Sequence, residues 1–409
     1  MPSTLPDGEP APRDGALPDS ALEGAAGRPL GLYVHVPFCT VRCGYCDFNT
    51  YTAEELGPAG GAPGASRATY AAAAVEELRL ARRVLADDDR PLSTIFFGGG
   101  TPTLLPPEDL GAVLAAADDL FGLGPDVEVT TESNPDSVSA DDLARLREAG
   151  LTRVSFGMQS QVSHVLRVLD RTHDPRRVPD VVAWARAAGF DQVSLDLIYG
   201  TPGESLEDWA TSVDAALACE PDHVSAYSLI VEEGTALARQ VRRGDVAATD
   251  EDDLADKYAL ADERLRAAGL GWYEVSNWSR DGASRCRHNV LYWTGGDWWG
   301  VGPGAHSHVG GTRWWNVKHP AAYADRLAAG PSPAHGRERL GAEDRRVERV
   351  LLELRLREGL PADVLDETGR AAAPGLVERG LLVAEADRLR LTDAARLLAD
   401  GVVRELLGW

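Results

Sequence analysis

Cysteine is scarce in this chain. Five in 409 residues are too few for a disulfide scaffold. Three of the five nonetheless fall within eight positions, at Cys39, Cys43 and Cys46, while Cys219 and Cys286 lie far away. That grouping points to a metal in a reducing compartment rather than to secretion. Basic charge is short as well. Against 64 acidic side chains stand 41 basic ones, a formal charge of −23 with a pI near 4.8. General binding to nucleic acid or to an anionic membrane needs a basic face, and this composition argues against both. No apolar run reaches the roughly 18 residues of a transmembrane helix, so membrane association is at most peripheral. Residues 1–28 lack the basic n-region and apolar core of a signal peptide. Rich in Pro, Gly and Ala with five acids, they read as a disordered tail, and the cytoplasm is the expected location.

What is present is a regular alternation. Short apolar or β-branched runs predict strands at Leu32–Val36, Ser93–Phe97, Val127–Thr131, Arg153–Phe156, Gln192–Ile198, His223–Leu229 and Trp272–Val275. Amphipathic stretches predict helices over Thr69–Ala86, Pro107–Leu120, Ala140–Ala149, Pro175–Ala188, Ser205–Ala218 and Asp250–Ala268. Ser139 and Ser205 stand as caps, and Gly150, Gly189 and Gly269 as stops. Strand alternating with helix means an α/β fold with a parallel sheet. Polar, Gly-rich sequence follows one strand after another: the cysteines after the first, Gly98-Gly99-Gly100-Thr101-Pro102-Thr103 after the second, Glu132 after the third, Gln159 after the fourth and Asp196 within the fifth. A barrel builds its site this way at one face, whereas a doubly wound sheet concentrates it at one switch point. The expectation is an open parallel (β/α) barrel over residues 29–268.

Beyond residue 269 the texture changes, and residues 269–409 are expected to form a smaller, mostly helical C-terminal domain. Seven of the ten tryptophans fall between Trp272 and Trp315. A helical run from Glu343, a β-like pair around Leu381–Val383 and Leu389–Leu391, and a last helix over Asp393–Leu407 resemble a winged-helix module. With 13 basic and 15 acidic residues over 337–409, a structural or partner-docking role outweighs a DNA-binding one.

The cysteines stand in a C-x3-C-x2-C spacing. Three thiolates on a short loop suit three corners of a cubane iron–sulfur cluster and leave one iron open to an outside ligand. A zinc site completed by a histidine is the other reading, and Tyr45 beside Cys46 favours a cluster with a stacked ligand. Together with the Gly-Gly-Gly-Thr-Pro-Thr run and the acid after the third strand, the spacing resembles the radical S-adenosylmethionine (SAM) superfamily. The resemblance implies a [4Fe-4S] cluster, with SAM chelating its open iron. One electron passed to the sulfonium then yields a 5′-deoxyadenosyl radical, and the protein orients the cofactor and keeps water out.

A narrower resemblance rests on Tyr33, six residues before Cys39, on Glu132 in Glu-Ser-Asn-Pro, Gln159 in Ser-Phe-Gly-Met-Gln-Ser, Arg171 in Arg-Thr-His, and Asp196 in Leu-Asp-Leu-Ile-Tyr-Gly. These match the oxygen-independent coproporphyrinogen oxidase group over roughly residues 30–400. The match implies Tyr33, Tyr45, Gly99, Gly100, Thr101 and Glu132 around one SAM, with Gln159, Arg171 and Asp196 near a second ligand. Phe48 departs from the oxidases, which carry a fourth cysteine there, and the segment Cys46-Asp47-Phe48-Asn49 resembles the HemW-type heme chaperones. So does His288-Asn289-Val290-Leu291-Tyr292-Trp293, an H-N-x-x-Y-W motif that the resemblance links to heme through His288, Asn289, Tyr292 and Trp293. From the residues alone the same segment reads as an aromatic core patch with satisfied histidines. His306 and His308 lie nearby. Cys286 is expected to be an inert thiol rather than a ligand, and His35 a buried, hydrogen-bonded histidine. The resemblance implies a chaperone that binds heme and hands it to recipient hemoproteins, with a homodimer left open. Oxidative decarboxylation of coproporphyrinogen III and methylation of an aromatic substrate are the alternatives on the same scaffold.

Overall fold

The computed structural model describes residues 6–57 and 64–409. In chain order the strands are β1 (Glu9–Pro10), β2 (Leu30–Val36), β3 (Leu92–Gly99), β4 (Leu123–Ser133), β5 (Arg153–Gln159), β6 (Gln192–Tyr199), β7 (His223–Ser228), β8 (Gly271–Glu274), β9 (Asn277–Ser279), β10 (Asp297–Val301), β11 (His306–Val309), β12 (Thr312–Asn316), β13 (Ala334–Arg339), β14 (Leu360–Pro361), β15 (Leu382–Glu385) and β16 (Arg388–Leu391). The first thirteen form one sheet in the order β1-β13-β12-β11-β10-β2-β3-β4-β5-β6-β7-β9-β8. From β10 through β7 the neighbours are parallel, and beyond each end they are antiparallel.

The parallel strands are covered on both faces, so they read as nearly continuous buried runs; every residue of β2 and β5 is buried. Helices cover the outside. Ser139 and Ser205 each complete a capping box, with Asp142 and Asp208 as the returning acids. Gly189 and Gly269 close helices with φ near +84° and +85°, the left-handed conformation in which glycine carries no steric penalty. Five inter-strand steps separate β2 from β7, roughly 24 Å if the sheet were flat. Tyr33 on β2 and His223 on β7 nevertheless line one cavity, so the sheet is curled. Among the described residues no pairing joins its two edges. The result is the expected open barrel.

Two boundaries differ from expectation. The 269–409 segment does not form one separate unit. β10 inserts parallel beside β2, with Asp297 opposite Leu30 and Val301 opposite Val34, and β11 to β13 extend the same sheet. The buried Glu77 carboxylate fastens this region to the barrel helix Arg67–Val84. It accepts hydrogen bonds from the Gly302 amide (2.8 Å), Asn316 Nδ2 (2.7 Å) and the Tyr323 hydroxyl (2.5 Å). The break in packing falls at about residue 341. Beyond it, the helices Ala342–Glu353, Glu367–Glu378 and Ala399–Leu407 and the small antiparallel sheet β14-β16-β15 enclose their own core around Val350, Leu354, Leu376 and Leu406. The helices-and-wing reading of that part holds.

The N-terminal segment is the second difference. Residues 6–28 are not a loose tail: β1 pairs antiparallel with β13, Ala21 is fully buried, and Arg28 Nε lies 3.0 Å from the buried Asp297 carboxylate. Backbone addition to a sheet edge needs little apolar sequence, which is why composition pointed the other way. Residues 1–5 lie outside the described residues.

Candidate functional site

The cysteine loop leaves β2 and is fixed by backbone bonds at both ends. Cys39 N donates to Tyr51 O (3.0 Å) and Tyr51 N to Pro37 O (2.7 Å). Midway, Gly44 N donates to Leu169 O and Leu237 N to Gly44 O, so the loop is clamped between the segments that follow β5 and β7. Asn49 Nδ2 reaches Pro303 O and Lys318 O. His35, buried as expected, shares hydrogen bonds with Asn49 O (2.8 Å) and the Tyr33 hydroxyl (2.9 Å). The triglycine turn after β3 packs onto this loop from beneath: Gly100 N donates to Val36 O and Thr101 N to Phe38 O, both at 2.8 Å.

These elements frame a cavity of about 720 Å³ in the barrel lumen. Its walls carry Cys39, Cys43, Cys46, Tyr33 and Tyr45, then Gly99, Gly100, Thr101 and Glu132, then Gln159, Arg171 and Asp196, and finally His288, Asn289 and Tyr292. Of the cluster, SAM and heme residues that the resemblance implies, the structure leaves only Trp293 outside this wall; it is half-buried at the end of its helix. The bystander Cys219 sits at the end of the helix Leu206–Ala218, its thiol 3.4 Å from Ala215 O and away from the cavity.

The electrostatics follow from enclosure. Glu132 Oε2 accepts from Gly99 N (3.1 Å); burial, then the nearby Asp196 carboxyl, pushes its pKa up to about 7. Asp196 accepts from Ser155 Oγ (2.8 Å) and is also raised by burial. Arg171 spans the site, donating to Asn134 Oδ1 (2.7 Å), Gly157 O (2.9 Å) and Cys43 Sγ (3.6 Å). Gln159 sits at a bulge of β5 with φ 60°, a left-handed backbone that a non-glycine residue adopts only where surrounding packing holds it, often at a binding site.

The residues fit the cofactors of the resemblance. The three half-buried thiols crowd one loop, and burial together with Cys46 and Cys43 pushes the Cys39 thiol up to about 12. Among the described residues no three His, Cys, Asp or Glu side chains converge as ligands of one ion. In a cubane each thiolate binds a different iron, so its sulfurs stand further apart than ligands sharing one ion. The cradle formed by the triglycine turn, Glu132 and the aromatic Tyr45 suits an amino acid joined to a nucleoside.

The H-N-x-x-Y-W helix lies at the other end of the lumen. Thr94, near the start of β3, shares a 2.8 Å bond with His288 Nδ1, whereas Gly99 ends that strand about 16 Å further along. Glu128, opposite Thr94 in the sheet, caps the helix by accepting from the amides of Arg287 and His288, each at 3.0 Å. His288 Nε2 shares its bond with the Tyr292 hydroxyl (2.8 Å). Both ring nitrogens are therefore engaged, and burial lowers the imidazole pKa to about 3. Asn289 donates to Glu274 (2.7 Å). Cys286 is a buried thiol 3.8 Å from Glu128, pushed up to about 12 by burial, and so an inert protonated group. His308 is satisfied by Gly296 O and Gly311 N, and His306 packs tilted against Trp315, away from the cavity.

Sequence reasoning missed Thr94, Glu128, Asn134 and Arg153, all polar groups on strands or strand ends. For Glu128 and Arg153 the signal was a charge near the start of an otherwise apolar run; Thr94 and Asn134 offered none. That reasoning also missed the rim, where Val41, Tyr227 and Ile230 join Phe48 in exposing large apolar side chains at the cavity mouth.

Comparison with known proteins agrees with this geometry. The family description "Radical SAM superfamily" matches residues 33–216. A relative named heme chaperone HemW from Mycobacterium tuberculosis is 54% identical over 93% of this chain and 96% of its own. The heme chaperone HemW of Bacillus subtilis is 32% identical over 92% and 98%. Among solved structures, coproporphyrinogen III oxidase (HemN) from Escherichia coli superposes with a TM-score of 0.79 at 22% identity, covering 95% of this chain and 93% of its own; it shares the fold. The chain belongs to the HemW family within the radical SAM superfamily.

Proposed function

We propose that this protein is a heme chaperone that carries a SAM-ligated [4Fe-4S] cluster, takes up heme and delivers it to hemoproteins in the cytoplasm. Cys39, Cys43 and Cys46 would hold the cluster. Tyr33, Tyr45, Gly99, Gly100, Thr101 and Glu132 would hold SAM, and Gln159, Arg171 and Asp196 would face a second ligand. When bound, the pair supplies one-electron chemistry. The chain's own part is to hold the thiols in a clamped loop and to keep Glu132 and Asp196 dry.

The observation that carries the reading is Phe48. It stands where the resemblance to the oxidases calls for a fourth cysteine, and its side chain is 43% exposed at the cavity mouth beside Val41 and Ile230. An apolar rim suits a flat macrocycle better than it suits a small polar substrate. The relatives named heme chaperone agree with it. Hemin titration of the reconstituted protein, followed through the Soret band, tests the proposal: stoichiometric saturation is expected, and no saturable binding refutes it. Anaerobic incubation with coproporphyrinogen III, SAM and a reductant is the converse test, in which steady protoporphyrinogen formation would replace the chaperone reading by the oxidase one.

A further inference from the structure

Arg153, the first residue of β5, is 2% exposed and lines the cavity. Among the described residues its guanidinium has no hydrogen-bond partner, its Nε is fully enclosed, and no carboxylate lies within ion-pair distance. Glu128 and Asp196 supply opposite charge from beyond ion-pair distance, but a buried guanidinium whose N–H groups have no acceptor still carries the cost of unmade hydrogen bonds, which a ligand oxygen would remove. The neighbours that face it are already committed. Glu128 caps the helix carrying His288, and Asp196 is held by Ser155. Cys286 is a protonated thiol. His223 shares its nitrogens with Ser194 (2.8 Å) and the Tyr273 hydroxyl (2.9 Å). The other guanidinium deep in the cavity, Arg171, is bonded to Asn134, Gly157 and Cys43. Arg153 thus presents an unused planar fork, the geometry that recognises a carboxylate with two parallel bonds.

Its position matters as much as its charge. β5 runs from Arg153 to Gln159, so Arg153 lies about 20 Å from the strand end that meets the cysteine loop. It lies beside the helix Arg287–Trp293. The guanidinium itself reaches up the lumen, close enough to act on Asp196 and Glu132, so a ligand entering past the apolar rim would meet it with a carboxylate at its inner edge.

We propose that Arg153 is the recognition group for a ligand carboxylate at the floor of the lumen, and that under the heme-chaperone reading, on which this rests, the carboxylate is a heme propionate. The test compares hemin with hemin dimethyl ester, whose propionates are blocked, on the cluster-loaded protein. Wild type should favour hemin by about 10- to 100-fold, the usual worth of a hydrogen bond to a charged group. Arg153→Gln should bind both with equal, weakened affinity. Arg153→Lys, which keeps the charge without the fork, should retain part of the preference, and it serves should the glutamine variant fail to fold. Both variants should keep the wild-type iron content. Equal affinities for the two ligands in wild type, or an unchanged preference in either variant, overturn the inference while leaving heme binding intact. A loss of SAM affinity with the hemin preference preserved assigns the carboxylate to SAM and overturns the propionate. Absence of any saturable hemin binding in wild type refutes the chaperone reading itself, a different outcome from these.

Discussion

Replacing Gly100 by alanine tests whether the triglycine turn and the cysteine loop behave as one rigid piece. A Cβ at Gly100 would sit against the Phe38 peptide, with the carbonyl oxygen nearest, the carbonyl carbon at 2.9 Å and the amide nitrogen at 3.0 Å. The obstacle is backbone, which cannot rotate aside. Phe38 is also held by the Thr101 N–H to its carbonyl, and Cys39 follows it directly. To regain ordinary contact the Phe38 peptide must move by roughly 1 Å, a displacement that overpacking data put at about 1–3 kcal/mol. Much of that displacement passes to Cys39, because its amide is pinned to Tyr51 and absorbs none of it elsewhere. The expected result is a chain that still folds, with a melting transition lowered accordingly and less than half the wild-type iron and sulfide after reconstitution. Gly401→Ala is the control: it lies in the helix Ala399–Leu407 with nothing within 4 Å of the new methyl, and it should stabilise by up to about 1 kcal/mol. Full cluster loading and an unshifted melt in Gly100→Ala would refute the coupling.

Asp297→Ala should cost about 2–4 kcal/mol in a denaturant melt. It removes the fully buried carboxylate that lies 3.0 Å from Arg28 and 2.9 Å from Arg90, leaving Arg28 without an anion and Arg90 with Asp88 alone; a loss below about 1 kcal/mol would contradict this. Burial raises Glu77 from 4.5 to about 7 although its three donors pull the other way. The folded state therefore holds the extra proton, and stability should fall as pH rises from about 4.5 to about 7. Glu77→Gln should flatten that slope in melts recorded across the range, and an identical slope would exclude Glu77 as its source. Burial keeps His288 neutral, with its pKa near 3, so hemin affinity should show no inflection that His288→Gln removes between pH 5 and 8. His288→Ala should itself destabilise by about 1–3 kcal/mol by leaving Thr94 and Tyr292 unpaired, and an unchanged melt would count against those bonds.

β2 to β7 were legible because they are short apolar or β-branched runs followed by glycine or a cap, as in Val193–Ile198 before Gly200. The site was legible because its residues sit in motifs at strand ends. β10 to β13 were not, since Gly300, Gly302 and Gly304 interrupt the apolar pattern and the tryptophans suggested a patch rather than strands. The helical role of His288 also escaped notice: nothing in H-N-x-x-Y-W says that its ring bonds Thr94, almost two hundred residues earlier. Arg153 was hidden for the opposite reason, a single charge at the head of a strand whose remaining residues look like core.

The place of β10 beside β2 sets an order on how this protein comes into being. β2 launches the cysteine loop, yet the edge of β2 facing away from β3 is completed only by residues 297–301, and Asn49 is anchored by carbonyls at 303 and 318. At translation rates of about 5–20 residues per second, β2 waits roughly 15–50 s on the ribosome for its partner. The thiols emerge early, and the surroundings that fix their loop are finished late. A cluster held as proposed above would therefore find its complete receptacle only once most of the chain exists.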